Sequence, residues 1–213
     1  MRGRHTIAER SGADEPEVSL GANDEGDVVG PPPLPVVPNP WSIRLLEPHG
    51  SDLALLHRWM HAPHVADAWG QAWTRQRWAE ELQAQLAGEV SRPCLASYEG
   101  EPVAYLEIYR AARDRLGAYY EAHPHDLGVH IAIGDAERIG RGLGRRLLRV
   151  VADGLLAADP ACPRIVAEPD VVNTASIRAF TAAGFQHRND IRLPHKTAAL
   201  LIRSRLDRRT GDR

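Results

Sequence analysis

Residues His123–Arg149, HPHDLGVHIAIGDAERIGRGLGRRLLR, decide how the rest of the chain is read. Leu127, Val129, Ile131 and Ile133 alternate with Gly128, His130, Ala132 and Gly134, which is the two-residue period of a strand. One face is aliphatic. The other carries a histidine between small residues, which predicts room for a ligand beside the imidazole. Gly140, Gly142 and Gly144 follow, each separated by one larger residue, just ahead of an arginine-studded amphipathic run. Glycines let a backbone approach an anion closely, and the free N–H groups of a first helical turn, with the helix dipole, bind phosphate oxygens. Arg138, Arg141, Arg145, Arg146 and Arg149 add charge there. On these residues alone a tight turn explains the glycines as well as an anion site does. A nicotinamide-dinucleotide loop fits poorly, because the spacing is not GxGxxG and no acidic residue closes a following second strand. An ionisable strand residue directly upstream of an anion loop suits group transfer from a phosphate-bearing donor.

Outward from this stretch, the pattern predicts one folded domain. WSIRLL from Trp41 reads as a first strand, and Ser51 or Asp52 can cap a helix through LALLHRWMH. Pro63 is expected to break that helix, leaving HVADAWGQAW as a loop that holds Trp69 and Trp73. Thr74 caps a second helix that runs to a stop at Gly88. RPCLASYE and PVAYLEIYR form a hairpin turning at Gly100-Glu101. The segment AARDRLGAYYEAHPH is looser. Beyond the arginine-rich helix, PRIVAEP is a compact strand, residues 173–184 a helix with an Asn cap and a Gly stop, and FQHRNDIRL and KTAALLIRS two antiparallel strands. Mixed order with a single strand–helix–strand crossover predicts an α+β domain around a mostly antiparallel sheet, spanning residues 41–205.

Residues 1–40 are poor in large apolar side chains, rich in Gly, Asp, Glu and Pro, and end in PPPLPVVPNP. They read as a flexible arm or an extended strap. The PPPLP run serves either as a linker or as a ligand for a proline-recognition module. Residues 206–213 form a basic tail. A chain of 213 residues with 43% apolar content and a net charge of -2 gives no bulk positive field for nucleic acid. The charge is uneven: residues 1–30 hold three Arg against seven Asp and Glu, and Arg188 onward holds seven Arg and one Lys against three Asp. The basic end has no aromatic residue to stack on bases, so no nucleic-acid partner is expected. The two cysteines, Cys94 and Cys162, lie far apart and suggest neither a disulfide framework nor a zinc site. The cluster His123, His125, Asp126 and His130 fits no standard zinc spacing, and no metal is expected. No apolar run approaches the roughly 20 residues of a membrane span, and cytoplasmic residence follows by default.

GRGLGRRLL followed by EPDVVNTASIRAFTAAGF resembles the GNAT N-acetyltransferase superfamily. Gly142-Leu143-Gly144 matches the family's pyrophosphate loop; Asn173, Ala175, Arg178 and Ala183-Gly184-Phe185 match its second stretch. EAHPHDLGVHIAIGD, with HRWMHAPHVADAWG and YLEIYRAARDRLGAYY upstream, is similar to the siderophore-biosynthetic branch, which includes mycobactin lysine N-acyltransferases and aerobactin-type hydroxylysine acetyltransferases. The resemblance covers roughly Trp41 to Arg203. It implies a single domain with splayed central strands and flanking helices. It also implies an acyl-CoA, or an acyl carrier protein, as donor, and the ε-amine or ε-hydroxylamine of lysine or a lysine-containing precursor as acceptor.

Residue by residue, the resemblance implies that Asp126, Gly128 and His130 form the active-site D-x-G-x-H strand. Glu168-Pro169-Asp170 would be the acidic step after the next strand, where the family position is most often Asp. His130 or Glu168 is then the base. Ile131 would polarise the thioester through its N–H. Arg138, Arg141, Gly142, Leu143, Gly144, Arg145, Asn173 and Arg178 would hold the donor. Trp69, Asp126, His130 and Glu168 would line the acceptor side. Two departures stand out. Ile139 replaces the family's frequent Gln or Arg, and Phe180-Thr181 stand where many members have Tyr-Glu, so the tyrosine often assigned to protonate the thiolate is missing. The alternatives are an aminoglycoside N-acetyltransferase, which would need a strongly acidic acceptor pocket, and a non-catalytic CoA-binding module.

Overall fold

The computed structural model describes residues 29–205. The expectations for residues 1–28 and for the basic tail from 206 lie outside that range. Seven strands form one sheet: β1 (Trp41–Leu45), β2 (Ser91–Tyr98), β3 (Glu101–Arg110), β4 (Leu127–Ile133), β5 (Arg164–Ala167), β6 (Gln186–Arg192) and β7 (Thr197–Ser204). Their spatial order is β1-β2-β3-β4-β5-β7-β6. Five helices flank it: α1 (Gly50–Met60), α2 (Pro63–Trp69), α3 (Arg75–Ala87), α4 (Leu143–Ala158) and α5 (Thr174–Ala182). Every strand pair is antiparallel except β4–β5, which α4 connects as a crossover. That pair is registered only at Leu127 with Ile165 and Gly128 with Val166. Beyond Gly128 the two strands part, which is the splay that the resemblance implies.

Strand alternation sends two sets of side chains to two faces. Leu106, Ile108, Leu127, Val129, Ile165 and Ala167 join one core with Leu147, Val151 and Leu155 of α4 and Phe180 of α5. Tyr105 and Ala132 face the other way, into a core with Leu56, Trp59 and Trp78 of α1 and α3. Each fully buried Leu contributes about 1.5–3 kcal/mol, so the eight buried residues of α4 make it the main clamp on the first face.

Three local expectations change. Residues 63–69 form a helix rather than a loop, because Pro63 occupies the first turn, where its missing N–H costs nothing. The N-cap of α1 is His49, without a side-chain bond. Asp52 instead accepts from Arg44 at 2.5 and 2.8 Å and from the Glu47 N–H at 3.0 Å, tying α1 to β1. The β2–β3 turn is Glu99-Gly100, both at positive φ (55° and 84°), as a two-residue hairpin demands.

Residues 29–40 of the expected arm lie as an extended strap on α4. A Cβ at Gly154 would meet the Val36 carbonyl at 2.6 Å, so only glycine lets the strap lie this close. Arg110 donates to the Gly30 and Pro31 carbonyls at 3.0 and 3.3 Å and pairs with Asp159 at 2.7 Å. Pro32 and Pro35 are buried against the fold, while Pro31, Leu34 and Val36 stay exposed.

Candidate active site

The splay sits beside a cluster built by register. Glu107 of β3 lies directly across from His130 of β4, and Tyr109 directly across from Gly128. Glu168 follows β5 immediately and reaches the same spot. His130 Nδ1 is 3.0 Å from Glu107 Oε2, and its Nε2 is 2.6 Å from Glu168 Oε1. Tyr109 donates its hydroxyl to Glu168 Oε2 at 2.7 Å. Glu107 Oε1 accepts from Tyr105 at 2.8 Å and from Gln85 at 3.2 Å. Both carboxylates are nearly buried, while about a third of the His130 side chain stays exposed.

This geometry counts protons. A neutral imidazole has one N–H, yet both ring nitrogens face a carboxylate oxygen. The cluster therefore holds one proton more than a neutral histidine with two carboxylates would. Burial alone would lower the His130 pKa, but Glu168 and Glu107 outweigh it and push it up to about 10. Burial would raise Glu168, and the His130 imidazolium, Lys196 and Tyr109 hold it well below the usual carboxylate range. Glu107 is likewise held ionised against its burial by His130, Tyr105 and Gln85. His130 is thus an imidazolium at neutral pH. The expectation that it takes a proton from the amine is corrected: neither nitrogen has a free lone pair. Of the two residues expected as the base, Glu168 is the one held unprotonated.

The expected space beside the imidazole is also corrected. A Cβ at Gly128 would lie 2.0 Å from the Tyr109 ring, and one at Gly134 would lie 2.0 Å from Trp59. The ligand space lies instead over the exposed side of His130, in a cavity of about 490 Å³. Its walls come from both faces of the sheet: Trp69, His130 and Glu168 on one, and Val129, Ile131 and Phe180 on the other. Trp69 lines it, with its ring 6.0 Å from that of His130. Gly134 N–H bonds the Val103 carbonyl on the β3 side. By strand alternation the Ile131 N–H, three residues earlier, points the other way, into the gap where the β5 ladder has ended. Lys196, in the β6–β7 loop, donates to the Glu168 carbonyl at 2.7 Å and lies 3.9 Å from its Oε1.

On the α4–α5 face, Gly142 caps α4 at φ 78°. The first backbone bond of α4 runs from Arg146 N to Gly142 O at 3.1 Å, leaving the N–H groups of Leu143, Gly144 and Arg145 as orphan donors. A Cβ at Gly140 would meet nothing within 4 Å, so the loop is open to an incoming phosphate. These features fit a pyrophosphate. Asn173 caps α5 by accepting from Ser176 N at 3.0 Å, and both residues line the cavity. Arg141 is exposed on the loop, and Arg138 pairs with Asp135 at 3.5 Å. Arg145 lies with Arg146, Arg149 and Trp41 in a separate shallow cleft. Arg178 is exposed and donates to Thr174 Oγ1 at 3.3 Å, away from the cavity.

Asp126, expected on the acceptor side, lies outside the cavity lining. Its fully buried carboxylate accepts from Arg164 Nε at 3.0 Å, Tyr120 at 2.9 Å and His123 N at 2.9 Å. It anchors the start of β4 instead. His125 faces Asp159 at 3.3 Å, so the residues of the expected histidine cluster point to different places. Sequence reading missed Glu107, Tyr109 and Lys196. Tyr105, Glu107 and Tyr109 share one face of β3 at two-residue spacing, and a carboxylate between two tyrosines there was a usable signal. Lys196 carried none.

Comparison with known proteins bears on this arrangement. A family model described as an acetyltransferase (GNAT) domain matches residues 49–193. The lysine N-acyltransferase MbtK of Mycobacterium sp. (strain MCS) is 41% identical over 162 residues, 76% of this chain and 66% of that protein. The N(6)-hydroxylysine O-acetyltransferase of Escherichia coli is 31% identical over 164 residues, 77% of this chain and 52% of that protein. Among solved structures, aminoglycoside acetyltransferase AAC(6')-Ib in complex with coenzyme A and kanamycin superposes with a TM-score of 0.72 at 29% identity, covering 80% of this chain and 98% of that one.

Proposed function

This chain belongs to the GNAT acetyltransferase family, and from that premise we propose that it is a siderophore-biosynthetic N-acyltransferase. It moves an acyl group from acyl-CoA to the ε-amine or ε-hydroxylamine of lysine or of a lysine-containing precursor. The observation that carries this over the aminoglycoside reading is the charge of the cavity wall. Five carboxylates line it, Asp67, Glu107, Asp114, Glu168 and Asp170, and the three cations Arg115, His130 and Lys196 offset three of them. A polycationic aminoglycoside needs a strongly acidic wall. A zwitterionic amino acid needs both signs, with Trp69 covering its alkyl chain.

The thioester supplies an acyl carbon already activated for attack. The Ile131 N–H, aimed into the gap, stabilises the negative charge that develops on the acyl oxygen. The backbone from Gly142 to Arg145 holds the pyrophosphate, with Arg138 and Arg141 adding charge, Asn173 beside the pantetheine arm and Arg178 further along α5. The acceptor nitrogen bonds to the acyl carbon as the C–S bond breaks, and its proton passes to Glu168. A carboxylate held this acidic is a weak base. The site therefore favours an ε-hydroxylamine, neutral at pH 7, over free lysine, whose ammonium (pKa about 10.4) must first lose a proton. The CoA thiolate is stable enough to leave without a dedicated acid, which suits Phe180 in place of tyrosine.

An acyl carrier protein is a second possible donor. Exposed Ile139 and Val172 flank the donor side, and Arg138 and Arg141 would complement an acidic carrier. No helix among the described residues is long and apolar enough to cross a membrane, and we place the enzyme in the cytoplasm, with its donor. Mass spectrometry of lysine, hydroxylysine and kanamycin, each with acetyl-, medium- and long-chain acyl-CoA, tests the reading. Acylated lysine or hydroxylysine is expected. Acylated kanamycin alone would support the aminoglycoside reading, and CoA binding without turnover the non-catalytic module.

A further inference from the structure

The strand motif that carries His130 has a partner motif on β3. Glu107 and Tyr109 are spaced as His130 and Gly128 are, and the register sets each residue against its counterpart. The Tyr109 ring lies where a Gly128 side chain would be, its Cζ 2.0 Å from the ideal Cβ position. From there it packs on His130, with centroids 4.7 Å apart and planes at 35°, and donates its hydroxyl to Glu168 Oε2 at 2.7 Å. Tyr109 is buried and does not line the cavity, so it cannot touch substrate.

We propose that Tyr109 is a positioning residue for acyl transfer: seated in the socket left by Gly128, it fixes Glu168 through its hydroxyl and His130 through its ring. The inference rests on the reading of Glu168 and His130 as the reacting cluster. The argument is one of constraint. Glu168 follows the last residue of β5 and has no ladder partner across the gap. Its Oε1 is held by His130, with Lys196 nearby. With one anchor the carboxylate could swing about its Cγ–Cδ bond while keeping its contact to His130. Tyr109 removes that freedom, because a second fixed donor on the other oxygen sets the plane of the carboxylate. Geometry held this closely is what proton transfer requires. The charged groups facing Glu168 are His130 from β4 and Lys196 from the β6–β7 loop; Asp114 of the turn after β3 acts on Tyr109. None of them replaces the hydroxyl on Oε2.

Tyr109→Phe keeps the ring in its socket and removes only the hydroxyl. The expected result is a fall in kcat of roughly 10- to 100-fold, the scale of one hydrogen bond to a charged group, with the acyl-CoA dissociation constant unchanged. Gly128→Ala displaces the ring and should lose at least as much. The double variant should be no worse than Gly128→Ala alone, because both changes remove one function. Equal kcat in Tyr109→Phe and the wild type, or losses that multiply in the double variant, would overturn the proposal. The side-chain ¹⁵N resonances of His130 provide a readout without turnover. They should shift in Tyr109→Phe, and superimposable spectra would refute the positioning role. If the wild type acylates no acceptor, the functional reading fails, yet these spectra still decide the inference.

Discussion

Arg110→Met tests how the strap and the end of α4 are held to the sheet. Arg110 and Asp159 are both nearly buried, and their ion pair spans 2.7 Å. Removing one member of such a pair typically costs about 3–5 kcal/mol, because the other charge stays buried without its partner. Here the loss should fall at the lower end. His125 remains 3.3 Å from the same Asp159 oxygen, and Ala161 N still bonds the other oxygen at 3.1 Å. Methionine also keeps most of the packing volume. The expected cost is therefore about 3 kcal/mol, or about 6–12 °C in Tm for a domain of this size. Burial would raise the Asp159 carboxyl, but Arg110 and His125 hold it below its ordinary value. Its contribution is then fully present above the unfolded-state pKa of about 3.9 and is lost as pH falls through the lower folded value. The gap between variant and wild type should be complete at pH 7 and narrow below about pH 4. Urea titrations across that range measure it. Amide exchange over residues 29–36 should quicken, since Arg110 also holds the Gly30 and Pro31 carbonyls. Adding Asp159→Asn removes the stranded charge and keeps the acceptor for Ala161, so about half the loss or more should return. A cost under about 1 kcal/mol, or no recovery in the double variant, would refute the account of a buried, compensated pair.

His130→Ala, which removes the charged donor on Glu168 Oε1, should lower kcat by about 10- to 100-fold, the scale of one hydrogen bond to a charged group, while leaving acyl-CoA affinity, measured by calorimetry, within a few-fold. Because His130 keeps its proton to about pH 10 and Glu168 stays ionised far below neutrality, kcat with a hydroxylamine acceptor should be flat from pH 6 to 8; a limb near the ordinary imidazole pKa of about 6.5 would contradict the imidazolium. Gly142→Ala, at φ 78°, should weaken acyl-CoA binding about tenfold, matching the 1–2 kcal/mol cost of a left-handed residue.

What could be read from the sequence was local. The alternation across Leu127–Ile133 and the glycine-to-arginine run each lie within one element, and β4 and α4 emerged where periodicity put them. The cap at Asn173 and the antiparallel closing strands were legible for the same reason. The failures arose where distant segments meet. Small residues flanking His130 suggested space, yet Tyr109 and Trp59, from other elements, fill it. Asp126 was expected on the acceptor side, yet Arg164, far along the chain, holds its carboxylate. Pro63 was read as a helix breaker because an isolated proline carries that meaning more often than its role in a first turn. Most consequential was the protonation of His130. An imidazole's pKa depends on what lies within hydrogen-bond reach, and Glu107 reaches it only through a strand register that no local pattern specifies.

The cavity at the parting of β4 and β5 is walled by residues from both faces of the sheet, and this has a kinetic consequence. If donor and acceptor approach from opposite sides, neither blocks the other's path, and both can be bound before chemistry begins. No side chain in the cluster is a free nucleophile that would carry the acyl group between them. Initial-rate plots should therefore intersect, as for a ternary complex, rather than run parallel. Spent CoA and the acylated product can leave by separate doors in either order. Inhibition by CoA should be competitive against the thioester and not against the amine.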